Sequence, residues 1–124
     1  MEIVCSAPQE YSNTITAVFT PKGHDADQLR ATILEHFDLS LGAGLGKLAG
    51  KVFRVGHLGH FNDLVLAGTL AGIEMGLRLA TIPHNEGGVM AALRCLAPTG
   101  KIPEAPPQPE DRSKLRARWN NPCH

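Results

Sequence analysis

The stretch SLGAGLGKLAGKVFRVGHLGHFNDLVLAGTLAGIEMGLRLATIPHNEGGVMAAL, residues 40–93, carries the patterns from which the fold is read. It opens on a glycine-rich run at 42–50, whose glycines permit positive φ and close backbone approach, and which therefore reads as a loop facing either solvent or a ligand. Val52-Phe53-Arg54-Val55 follows as a strand candidate, and its alternation places Arg54 on the face opposite Phe53 and Val55. The longest helix candidate starts at Asn62 or Asp63 and runs to about Leu79. At 100° per residue, Leu66, Leu70, Ile73 and Leu77 form one stripe, and Gly68, Gly72 and Gly76 form a second stripe about 140° away. Three interior glycines cost roughly 1 kcal/mol each relative to alanine, so their presence needs a reason such as the close approach of another backbone. The expectation is that this stripe faces something outside the chain and leaves an apolar patch. Glu74 and Arg78, acid before base at four-residue spacing, read as a pair on the remaining polar wedge. Pro83 breaks the chain, and Val89, Leu93 and Leu96 support a last helix ending near Ala97.

Upstream, 14–20 alternates Ile15, Ala17 and Phe19 with Thr14, Thr16, Val18 and Thr20, a strand pattern rich in Thr and Val. Pro21 and Gly23 end it, and Asp25 can cap a helix in which Leu29, Ile33 and Phe37 recur every fourth residue. That helix should lie on a sheet. Downstream the composition changes near Pro98: from Pro98 to the end lie six of the nine prolines, with five basic and three acidic residues. Such a segment buries too little apolar area to offset its ordering entropy, so 98–124 is expected to be a disordered tail. The 124 residues then amount to one domain, 1–97, followed by the tail.

The composition also excludes whole classes. Twelve basic and twelve acidic side chains cancel, which leaves no general field for nucleic acid or an anionic membrane. The apolar passage from Leu64 to Ile73 falls far short of the roughly 20 residues that cross a bilayer. Cys5, Cys95 and Cys123 are odd in number and lack C-x-x-C spacing. With no signal-peptide pattern at the amino terminus, they point to a reducing, cytoplasmic setting.

Few residues offer chemistry. Gly44-Leu45-Gly46-Lys47-Leu48-Ala49 fits G-x-G-x-x-A, but that fingerprint needs a strand before it and a helix after it, and here a strand follows. His57 and His60, with His84 and Cys95, lack the second tight ligand pair of a stable metal site and read as loop groups that cap helix ends or face solvent. Arg54 has two readings from its local pattern: a solvated surface residue, or a planar fork held beside a glycine-rich loop to orient a small carboxylic acid.

Taken together, GLGKLAGKVFR, GHLG, FNDL and the glycine helix resemble the carboxyl-terminal part of class V pyridoxal-phosphate aminotransferases of the serine-glyoxylate and alanine-glyoxylate type. The resemblance extends over residues 1–97 and excludes the tail. It implies an α+β fold, a small antiparallel sheet covered by helices as in the carboxyl-terminal domain of fold type I enzymes. It also implies a role: the arginine of the K-V-[FL]-R-[IV]-G strand, here Arg54, binds the substrate carboxylate. The enzyme implied is a homodimer that moves an amino group from serine or alanine to glyoxylate on pyridoxal 5'-phosphate. The matching region does not include the family's cofactor lysine, so none of Lys22, Lys47, Lys51, Lys101 and Lys114 inherits that role. The expectation is a fragment or subunit, inactive alone, that associates with a large cofactor-binding domain. A non-catalytic interaction module retaining the fold is the alternative. Three positions depart from the family pattern: His60 stands where relatives commonly have an acid, and Asn85 and Glu86 stand where they tend to have basic residues.

Overall fold

The computed structural model describes residues 1–97, and the expected tail at 98–124 lies outside them. Three strands form an antiparallel sheet in the order β1-β3-β2: β1 is Ile15–Phe19, β2 is Gly42–Ala43 and β3 is Val52–Gly56. Three helices accompany them: α1 is Ala26–Phe37, α2 is Asp63–Leu79 and α3 is Gly88–Leu96. This is the expected α+β arrangement. The glycine-rich run is a correction, because it is not wholly a loop: Gly42 pairs with Arg54 and Ala43 with Phe53, so the run's first residues are an edge strand. Two residues are too few for a period-2 signal, and glycine hides what signal there is.

β3 is central because Val52, Phe53 and Val55 are strand formers flanked by partners on both sides. Phe53 and Val55 enter the core with Leu29 and Ile33 of α1, Ile73 and Leu77 of α2, Leu41 and Ile82. Each such side chain contributes about 1.5–3 kcal/mol through its burial. The register pairs Ile15 with Gly56 through to Phe19 with Val52, so Val18 shares the helix-facing side and packs on this core. The outer edge of β1 is met by the first residues of the chain, with Val4 N–H donating to Ala17 O at 2.9 Å and Phe19 N–H to Glu2 O at 2.8 Å.

The helix ends follow their sequence signals. Asp25 accepts from Asp27 N–H at the start of α1, and Asn62 accepts from Val65 N–H at the start of α2. α2 ends in a Schellman motif: Thr81 N–H donates to Arg78 O and Ile82 N–H to Leu77 O. Thr81 holds the left-handed position at φ 52°, where glycine is usual, and Ile82 and Leu77 are both buried beneath it.

The glycine stripe is a second correction. A Cβ on Gly72 would lie 2.7 Å from Leu39 Cδ2, and one on Gly76 would overlap the Ile33 side chain; only Gly68 faces open space. The neighbour is α1 and the turn after it, within this chain. The apolar patch lies elsewhere, on the outward side of α2, where Leu64 is 81% exposed, Met75 44% and Leu79 51%. Among the described residues no helix is long and apolar enough to cross a membrane.

Candidate functional site

Arg54 sits in the middle of the central strand, on the sheet face turned away from the helices. Its register partners on that face are Ala17 on one side and Gly42 on the other, the two smallest residue types. The side chain leans over β2. A Cβ at Gly42 would lie 3.1 Å from Arg54 Cβ and 3.3 Å from its Nε, tighter than most Cβ contacts, so the arginine would have to give way slightly. Arg54 Nε donates to Ala43 O at 2.7 Å. Arg54 is half-buried, forms no ion pair among the described residues, and its Nη groups have no hydrogen-bond partner there. A guanidinium that is anchored and still carries two free N–H-bearing nitrogens can receive a carboxylate. β2 is held by a second arginine as well: Arg30 of α1 donates from Nε to Leu41 O at 2.7 Å and pairs with Asp27 at 2.8 Å.

The other singled-out side chains have structural partners. His57 neither caps a helix nor stands free in solvent: its Nδ1 donates to Asn13 O at 3.1 Å and its Nε2 meets Thr16 Oγ1 at 3.0 Å, tying the end of β3 to the entry of β1. The Glu74–Arg78 pair is a further correction. Arg78 reaches forward to Glu86, with Nη2 at 2.8 Å from Oε1, while Glu74 accepts from the backbone N–H groups of Gly87 at 3.0 Å and Val89 at 3.1 Å. Helix α3 opens on Gly87-Gly88, without a side-chain cap of its own, and its orphan donors take the nearest carboxylate. Those N–H groups, Gly87 first, hold the Glu74 carboxyl below the usual carboxylate range, with smaller contributions from His84 and Arg78. The missing Ser, Thr, Asp or Asn before α3 was the one legible hint of this role.

Between α2 and α3 lies a cavity of about 350 Å³, lined mainly by Val18, Leu70, Ile73 and Leu77 with Glu74 and His84 at its polar side. His84 donates from Nδ1 to Ile82 O at 2.8 Å, and its buried Nε2 has no partner among the described residues. No three His, Cys, Asp or Glu side chains come together as metal ligands among the described residues. Lys22, Lys47 and Lys51 are all exposed. Neither the cavity beneath α3 nor the face around Arg54 has a buried lysine, so these residues by themselves do not fit pyridoxal phosphate.

The chain matches no family model. It is 46% identical over 89 residues to serine–glyoxylate aminotransferase of Arabidopsis thaliana, covering 71% of this chain and 22% of that protein. It is 43% identical over 92 residues to serine–glyoxylate aminotransferase of Methylorubrum extorquens, covering 74% of this chain and 23% of that protein. Among solved structures it is similar to pyridoxamine-pyruvate aminotransferase of Mesorhizobium loti, with TM-score 0.68 and 28% identity over 74% of this chain and 24% of that one. The chain thus spans less than a quarter of the length of these relatives.

Proposed function

Starting from the premise that this chain is a homologue of the class V aminotransferases of the serine/alanine-glyoxylate type, corresponding to a carboxyl-terminal portion of them, we propose that it supplies the arginine that holds the substrate carboxylate. Arg54 is that group. The observation that carries the reading is its state: half-buried, anchored through Nε, flanked by Ala17 and Gly42, and free of any internal carboxylate among the described residues. The ligand is the carboxylate of a small amino acid or of glyoxylate. Holding it fixes the orientation of a molecule too small to be positioned by apolar contact, which is where proximity lowers a barrier.

Pyridoxal phosphate, where it is bound, acts as the electron sink of amino-group transfer. In this proposal another polypeptide holds it, either a large domain encoded apart or the remainder of a longer chain, and the assembly pairs as a dimer. The outward apolar side of α2 fits a piece that belongs to a larger body, since a contiguous exposed apolar surface marks an interaction site. The described unit, residues 1–97, acts as one domain, and on its own it transfers no amino group.

Two measurements test this. Glycolate, an unreactive stand-in for glyoxylate, should shift the nuclear magnetic resonance signals of Arg54, Gly42 and Ala43 in the isotope-labelled chain, and Arg54→Met should abolish the shifts. Mixing the chain with pyridoxal phosphate and reducing with borohydride should yield no stoichiometric lysine adduct. Glycolate shifts that survive Arg54→Met would remove the arginine from the reading, and a single-site adduct would return the cofactor to this chain.

A further inference from the structure

We propose that Gly42 is a positioning residue for Arg54, and that with Ala43 O it selects the edge of the guanidinium that a carboxylate meets. The inference rests on the reading of Arg54 as a carboxylate ligand and adds the direction of approach. A guanidinium has two edges that offer a pair of parallel N–H groups: a side edge, from Nε and one Nη, and an end edge, from the two Nη groups. In this chain the side edge is taken, because Nε donates to Ala43 O at 2.7 Å. The end edge remains free among the described residues.

The hydrogen bond depends on position 42 having no side chain. Gly42 is the register partner of Arg54, and a Cβ there would stand 3.1 Å from Arg54 Cβ and 3.3 Å from Nε, in the path the arginine stem takes across β2. A Cβ there would require the arginine stem to give way by a few tenths of an ångström, and in this proposal that shift draws Nε away from Ala43 O. The acceptor is itself well placed. β2 is only two residues long, but it is paired to the central strand on one side, and Arg30 Nε holds the preceding carbonyl, Leu41 O, at 2.7 Å. Gly42 thus acts through Arg54 without touching the ligand. Its effect is to spare the arginine the search among rotamers that a free, exposed side chain would have to make on binding.

The test uses the full 124-residue chain, isotope-labelled, with glycolate as the probe. In the wild type, hydrogen exchange at Arg54 Nε–H should be at least about tenfold slower than at the exposed Arg94. Glycolate should move the Arg54 Nη signals and leave the Nε signal in place. Gly42→Ala, with its fold verified from the backbone amide spectrum, should erase the exchange difference and weaken glycolate binding by about tenfold. Equal exchange at Arg54 and Arg94 in the wild type would overturn the lock, as would an unaltered Arg54 in Gly42→Ala. If the variant does not fold, the wild-type spectrum still decides, since glycolate-induced loss of the Nε protection sinks the end-edge geometry. A protected Nε with no response of any Arg54 signal to glycolate would instead strike down the carboxylate reading itself, and the positioning role with it.

Discussion

At the scale of single residues, three side chains carry consequences out of proportion to their size. Glu74 closes the open start of α3 from the neighbouring helix, and its ionised form is the one that Gly87 and Val89 N–H stabilise. Because its carboxyl is held below the ordinary carboxylate range in the folded chain, its contribution to stability is fully present above that ordinary value. It is lost as pH falls through that value to the lower, folded one. Thermal melts of wild type and Glu74→Gln should therefore differ most near neutrality and converge on acidification; a gap that widens in acid would contradict the assignment. Thr81 has the opposite character. A β-branched residue at φ 52° carries a cost of order 1–2 kcal/mol, which glycine at the same place avoids. Thr81→Gly, despite the entropy glycine adds to the unfolded chain, should raise stability by about 0.5–1 kcal/mol in denaturant titration. Arg54 was visible in the sequence as a charged residue among strand formers. Its anchor was not, because the acceptor is a backbone carbonyl and carbonyls leave no mark in residue identity.

At the scale of elements, the three glycines of α2 look alike in sequence and have different surroundings in the fold. Gly76 receives Ile33 of α1, Gly72 receives Leu39, and Gly68 touches nothing. Gly76→Ala should therefore cost about 1–3 kcal/mol by overpacking against Ile33. Gly68→Ala should instead stabilise by up to about 1 kcal/mol through helix propensity alone. Equal effects at the two positions in a chemical-denaturation series would refute this account of the α1–α2 contact. α3 is held more lightly than the other helices: none of its residues is fully buried, and its attachments are the Glu74 carboxylate, the Arg78–Glu86 pair preceding it and the rim of the cavity below. Amide exchange should be fastest there among the helices, since few buried contacts oppose local opening.

At the scale of the whole molecule, one small core packs against a three-stranded sheet, and its largest fully buried side chain is Phe53, 1% exposed. A domain of this size is stable by roughly 5–15 kcal/mol, and Phe53→Ala should remove about 3–5 of them. The loss of cooperative melting in that variant is the expected outcome. Arg54, half-buried between Ala17 and Gly42 on the other sheet face, and the outward side of α2, where Leu64, Met75 and Leu79 are exposed, both lie outside this core. Both suit a chain that matches less than a quarter of its relatives' length.

The sequence by itself determined the segments of β1, β3 and the three helices, the caps at Asp25 and Asn62, and the face on which Arg54 lies, because period and capping are local properties of backbone and side chain. The resemblance to serine–glyoxylate aminotransferases, too, was legible in the runs around Arg54 and the glycine helix. Only the tertiary structure decided that Gly42 and Ala43 form a strand, that the glycine stripe is filled from within by Ile33 and Leu39, and that Glu74 serves α3 rather than Arg78. Each of these depends on groups brought together from separate segments, many of them main-chain atoms that every residue type shares, so no pattern along the chain could distinguish them.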